Sequence, residues 1–334
     1  MTPVKSENAV KSELHPWHKP LWKRFGQMLT EDRLPHAVML TGSGGIGKGH
    51  LAQALAERVL CQAGPDQQPC GQCRSCQMFA AGSHPDLMQV QPEEKSQFIK
   101  IDQVRELGGF LANKAHVDEG YKVVILKPAE GMNVNAANAL LKNLEEPAGR
   151  TLMILVSHQS SGVMATIRSR CQLLVCHKPD HDEGLEWLSA RLDSKERAEE
   201  LLALSGGAPL SALALLSDDG LEQRRVLLED LAGLLEGRVS PLAVAARWQS
   251  YEIPQIIDCL LKWLPMWSRG LATEESIQQN LQGVMDWLRV DQLQPLLRFY
   301  QRLQDTKRQL QSGSNPNKQL LLETLLMQWV SLRA

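Results

Sequence analysis

HAVMLTGSGGIGKGHLAQALAERVL, residues 36–60, decides the fold. Its first residues run apolar and close on Gly42, the pattern of a buried strand. Gly42, Gly47 and Lys48 then fit the spacing G-x-x-x-x-G-K-[ST], in which a glycine-rich turn aims backbone N–H groups at phosphates. Gly44 and Gly45 fill the turn. Beyond it, Leu51, Leu55 and Val59 fall at i, i+4 and i+8, one face of a helix. Strand, phosphate-type loop and helix in that order open a doubly wound α/β sheet, where ligands sit at the carboxyl ends of the strands.

Working outward, YKVVILKP (121–128) and TLMILVSH (151–158) read as two further buried strands, and CQLLVCH (171–177) as a shorter one. Between the first two, AANALLKNLEEP has helical periodicity and stops at Pro147. Past residue 178 strand signals vanish. Residues 183–220 read as a small group of helices broken by Gly206, Gly207 and Pro209. From about 221 the chain is helical to its end. Leu227, Leu228, Leu231, Leu234 and Leu235 form one apolar stripe, and Leu322, Leu326, Trp329 and Val330 another. SGSNPN (312–317) reads as a loop between two late helices. The expected organisation is a nucleotide-binding-like α/β domain over 1–178, a small helical domain over 179–220 and an all-helical domain over 221–334.

A chain of 334 residues exceeds one comfortable core. Its 43% hydrophobic and 22% charged residues are those of an ordinary soluble protein. A net charge of −2 excludes an overall basic field, so any DNA contact must come from a local patch or from partners. No run of 18 apolar residues is present to span a membrane, and MTPVKSENAVKSELHPWHKP lacks the apolar centre of a signal peptide. A cytoplasmic location is expected. Seven cysteines in a reducing compartment argue against a disulfide framework.

Cys61, Cys70, Cys73 and Cys76 stand as C-x8-C-x2-C-x2-C. Two overlapping C-x-x-C turns let three thiolates converge, and Cys61 joins from the end of the helix after the loop. Four thiolates suit tetrahedral Zn²⁺ and leave no open position, so the expected ion is structural. The rivals are an iron–sulfur cluster, which lacks the C-x3-C-P extension here, and idle thiols, which do not normally bunch so closely. Cys171, Cys176 and Cys259 read as small buried hydrophobes.

The loop lacks the partners that metal-assisted hydrolysis needs. Gly49 stands where Ser or Thr would ligate Mg²⁺. Lys127 and Pro128 follow the strand KVVIL where acidic residues would hold the ion and activate water. At about 4 Å and an effective dielectric near 20, like unit charges repel by about 4 kcal/mol, and a divalent ion roughly doubles that. No efficient ATPase is expected. Two readings of Gly42, Gly44, Gly45, Gly47 and Lys48 stay open, bare nucleotide binding and an inherited turn that stays empty, and the second is preferred.

The altered loop, the four-cysteine insertion after its helix, NALLKNLEEP (138–147) and TIRSRC (166–171), in that order, resemble the AAA+ clamp-loader family of bacterial DNA polymerase III. The resemblance covers nearly the whole chain. It implies an AAA+ module, a helical lid and a helical collar, in a hetero-pentamer with motor subunits of tau/gamma type and a delta subunit. That assembly opens the sliding clamp and places it on primed DNA. It further implies that Arg170, beside Ser169 in the Ser-Arg-Cys motif, is an arginine finger offered in trans to a neighbour's ATP; otherwise Arg170 is a solvated or salt-bridged surface arginine. Ser157 lies where the motors keep a polar sensor, or is a plain strand-end cap. Leu210 stands at their sensor arginine.

Glu145 and Glu146 oppose a helix dipole at a C-terminus, so something local must hold them. Arg298, Arg302 and Lys307 could face DNA phosphates, but read first as a solvated helix face, and the C-terminal Trp residues read as packing. The expected function is a stator that completes a motor's site, is ATPase-deficient itself, and is an enzyme only as part of the polymerase holoenzyme. The alternatives are an ATP-hydrolysing motor subunit and a zinc-dependent DNA-binding regulator; GQCRSCQMF is too short and too neutral for the latter.

Overall fold

A computed structural model describes residues 14–64, 68–93, 96, 98–117, 120–216, 220–273, 279–311 and 316–333. Most of the expected SGSNPN loop, residues 312–315, lies outside the described residues. The chain divides into two compact units, residues 1–178 and 179–334.

The first unit is built on five parallel strands: β1 (Ala37–Thr41), β2 (Leu87–Val90), β3 (Lys122–Leu126), β4 (Thr151–Ser157) and β5 (Gln172–Val175). They lie side by side in the order β2-β3-β4-β1-β5. Thr41 of β1 pairs with Ser157 of β4, and Leu126 of β3 with Leu155, so the three central strands present their carboxyl ends along one edge of the sheet. Helix α1 (Lys19–Thr30) precedes β1, and α2 (Lys48–Leu60), α3 (Arg74–Ala80), α4 (Ile101–Ala112), α5 (Val134–Glu145) and α6 (Ala165–Arg168) are threaded between the strands. Every residue of β1, β3 and β4 is buried. Such unbroken apolar runs are what a parallel sheet covered on both faces requires. Ala37, Met39, Val124, Leu126, Met153 and Leu155 form a core with Val104 and Leu107 of α4, Leu140 and Leu144 of α5, and Ile167 of α6. Alternate residues face the other way along a strand, and α2 lies against β1, β3 and β4.

Two features differ from the sequence reading. Helix α2 is buried well beyond the Leu51 and Leu55 face: Ala52, Ala54 and Ala56 are also enclosed, because α1 lies against α2 as well as the sheet. Val59, expected on the buried face, is only partly covered. Strand β2 was not expected from the sequence; it is a four-residue edge strand with one fully buried residue.

The second unit holds α7 (His181–Ser189), α8 (Lys195–Leu204), α9 (Pro209–Ala214), α10 (Gly220–Glu236), α11 (Pro241–Trp248), α12 (Ile253–Thr273), α13 (Gln279–Met285), α14 (Leu293–Gln311) and α15 (Lys318–Val330). Four of its Trp residues are fully buried, and each of their indole N–H groups finds an acceptor. Trp248 donates to Asp230 Oδ2 at 2.9 Å, Trp263 to Leu204 O at 3.1 Å, Trp267 to Leu281 O at 3.3 Å and Trp329 to Leu231 O at 3.0 Å. Buried aromatic bodies with satisfied polar tips are packing elements.

Candidate functional site

The loop between β1 and α2 leads from a strand end directly into a helix N-terminus. Gly45 (φ 75°) and Gly47 (φ 82°) use the left-handed region that favours glycine. A Cβ on Gly47 would also run into the His15 ring. At Gly49 a Cβ would meet nothing within 4 Å, so the missing hydroxyl is a chemical loss and not a steric exclusion.

Lys48 is turned inward. Its Nζ donates to Gly42 O at 2.7 Å, Ser43 O at 2.6 Å and His158 Nδ1 at 3.1 Å, and the residue is 3% exposed. Burial pulls its pKa down to about 8, against the opposing influence of Cys176 and Glu130. The ammonium is thus spent on the loop's own carbonyls and on the residue after β4. Lys127 is half-buried directly after β3, and burial lowers its pKa as well. Ser157 is fully buried, and its Oγ accepts from Gln159 N at 3.1 Å, the geometry of a strand-end cap.

Six residues around the loop escaped the sequence reading. His15 and His18 are fully buried, and His15 Nε2 lies 2.9 Å from His50 Nδ1. The His15 ring stacks on Trp17, with centroids 4.9 Å apart, and the Trp17 indole donates to Ile46 O at 2.8 Å. The turn Pro16–His18 is thereby fastened to the back of the loop. Burial, helped by His15 and His50, holds the His18 pKa down at about 3. Glu130, three residues beyond Lys127, accepts from His158 N at 2.8 Å, so the acidic group nearest that strand end orients His158. Histidines at 15, 18, 50 and 158 share no short spacing; only the start of a helical turn at HPWH hints at the first two.

Arg170 follows α6. Its Nη1 donates to Thr166 O at 3.0 Å, and its Nη2 pairs with Glu145 Oε1 at 2.6 Å. The side chains of Arg170 and Glu145 are 36% and 50% exposed. The partner that Glu145 needed at the C-terminal end of α5 is therefore Arg170. Ser169 Oγ donates to Thr166 O at 3.0 Å. Arg170 makes these contacts on α5 and α6, apart from the loop.

The four cysteines converge as their spacing predicts. All four Sγ atoms lie within 4.8 Å of one another, and Cys70 and Cys76 are 4.0 Å apart. Zinc–sulfur bonds of about 2.3 Å in a tetrahedron place sulfurs about 3.8 Å apart, so the residues fit a metal such as zinc. Backbone N–H groups point at the sulfurs: Cys70 N at Cys61 Sγ, Cys73 N at Cys70 Sγ and Cys76 N at Cys73 Sγ, at 3.3–3.4 Å. N–H groups of Gln72 and Cys73 lower the Cys70 pKa. Burial pushes the Cys73 thiol up, but N–H groups of Cys76 and Gln62 and neighbouring thiols bring it down to about 6. Burial raises Cys76. The knuckle is anchored by Ser75, whose Oγ donates to Leu60 O at 2.5 Å and lies 2.8 Å from His84 Nε2. Because Asp86 N donates to His84 Nδ1 at 3.1 Å, the neutral ring carries its proton on Nε2 and donates to Ser75.

The family model described as DNA polymerase III, delta subunit, matches residues 17–180, and the model of that subunit's C-terminal part matches residues 218–331. The DNA polymerase III subunit delta-prime of Pseudomonas aeruginosa is 39% identical over 331 residues, covering 96% of this chain and 98% of that one. The chain belongs to the DNA polymerase III delta-prime family. The delta-prime subunit of Yersinia pestis is 32% identical, over 94% of this chain and 95% of its own. A solved gamma-subunit-related protein from Thermotoga maritima covers 94% of this chain and 99% of its own, at TM-score 0.45 and 18% identity.

In this delta-prime family member the other candidates lie in the second unit. Leu210 is partly buried on α9. Lys307 Nζ pairs with Asp258 Oδ1 at 2.8 Å, which engages one of the three candidate DNA-facing residues of α14, Arg298, Arg302 and Lys307. Among the described residues no helix is long and apolar enough to cross a membrane.

Proposed function

We propose that this chain is the stator of a DNA polymerase III clamp loader, giving Arg170 to the ATP held by a neighbouring motor subunit and hydrolysing none itself. The observation that carries the reading is the division of its chemistry. A phosphate-type loop is fully folded, yet Lys48 is bound to the loop's own carbonyls and Gly49 and Lys127 stand where magnesium ligands belong. A guanidinium, meanwhile, stands on a packed frame with part of its surface open. Guanidinium is always charged and forks onto phosphate oxygens, and such fingers are worth 10³–10⁵ in rate.

The partners are motor subunits of tau/gamma type and a delta subunit in a hetero-pentamer that loads the sliding clamp onto primed DNA. Polymerase activity belongs to the holoenzyme. Residues 179–220 serve as lid and 221–334 as collar. Cys61, Cys70, Cys73 and Cys76 hold a structural zinc ion, which supplies folding energy to the knuckle and no catalysis. In the reconstituted complex, Arg170→Ala lowers DNA-stimulated ATP turnover while assembly stays intact. Unchanged turnover in an assembled complex rejects the finger.

A further inference from the structure

We propose that Glu145 aims Arg170, acting as the positioning residue for the arginine finger; the inference rests on the reading of Arg170 as that finger. The backbone around Arg170 is fixed from both sides. Ile167 is fully buried, Cys171 is buried, and both share one core with Leu140 and Leu144 of α5. Arg168 adds a tether from Nη1 to Ser160 O at 3.2 Å. What remains free is the long arginine side chain, and two contacts remove that freedom: Thr166 O on Nη1 and Glu145 Oε1 on Nη2. Glu145 is the last residue of α5, directly after the buried Leu144, so its carboxylate is carried by the same rigid frame. A carboxylate opposes the helix dipole there, and the ion pair offsets that cost.

The pair aims the arginine and does not lock it away. An exposed ion pair biases a side chain by no more than about five-fold, far below the 10³–10⁵ that a finger gains at a phosphoryl group. Guanidinium has five N–H donors in a fixed fork. Thr166 and Glu145 take one each, which leaves three for phosphate oxygens. A finger already oriented loses less freedom on reaching its target than one that must be ordered there.

The test is steady-state ATP hydrolysis by the reconstituted clamp loader with primed DNA, with the variants placed in this chain. Glu145→Ala lowers kcat about five-fold at unchanged KM, and Glu145→Gln, which keeps an acceptor oxygen, restores most of it. Arg170→Ala lowers kcat further, and adding Glu145→Ala to it changes nothing more. A general structural role would instead depress both backgrounds equally, and that additivity overturns the proposal. Normal turnover for Glu145→Ala beside a defective Arg170→Ala overturns the aiming role and leaves the finger standing. Normal turnover for Arg170→Ala overturns both.

Discussion

Lys48→Met tests whether the loop is a residual device held at a cost in stability. The wild-type ammonium is 3% exposed, and burial pulls its pKa from 10.5 to about 8. At 1.36 kcal/mol per pKa unit, the folded state is disfavoured by about 3 kcal/mol at pH 7, where the lysine is charged in both states. Methionine keeps the unbranched stem and removes the charge. The variant loses hydrogen bonds to Gly42 O, Ser43 O and His158 Nδ1, but Ser43 and His158 are exposed and Gly42 partly so, and water can replace the donor. A net gain of about 2 kcal/mol remains, which for a unit of this size raises Tm by about 4–8 °C. The pH dependence carries a definite sign. Between pH 8 and 10.5 the unfolded chain holds a proton that folded Lys48 has released, so wild-type stability rises with pH across that window. The advantage of Lys48→Met over wild type should therefore be full below pH 8 and fade towards pH 10.5. Thermal unfolding of both proteins at pH 7, 9 and 10 measures it. A variant that melts at or below the wild-type temperature at pH 7, or a gap that ignores pH, refutes the reasoning.

Cys73→Ser should abolish stoichiometric zinc binding, read by metal analysis of the purified chain, and lower its Tm; unchanged metal content and melting reject the zinc assignment. His18→Phe should flatten the acid limb of stability. His18 is held at about pKa 3 by burial, so as pH falls from 6.5 towards 3 the unfolded chain takes a proton that the folded one refuses, and stability falls. Between pH 7 and 4.5 the variant should lose about 2–3 kcal/mol less than wild type in urea unfolding. Parallel acid limbs would show that His18 is not the group responsible.

The sequence made the core of the sheet legible because β1, β3 and β4 are buried on both faces, and Val, Ile, Leu and Met crowd together wherever no strand face meets water. Helix α5 was equally plain, with its period ending before Pro147. Strand β2 was not, since LMQV is short, lies at the edge and mixes buried with exposed positions. The cysteine knuckle was readable because its ligands are local, falling within sixteen residues. The histidines around the loop were not: His15 meets His50, and His158 meets Lys48, only through the order of strands and the turn that precedes α1. The Glu145–Arg170 pair shows both sides of this. The misfit of an acidic residue at a helix C-terminus is visible in the sequence, but its partner lies 25 positions away, across β4, and only the packing of α6 on α5 supplies it.

The most direct test of the central claim is ATP hydrolysis by the purified chain alone, with magnesium and primed DNA present. The account predicts no turnover, with or without Lys48→Ala. Steady turnover that Lys48→Ala abolishes would contradict it, and would make this chain a motor whose metal ligands are not Gly49, Lys127 or Pro128.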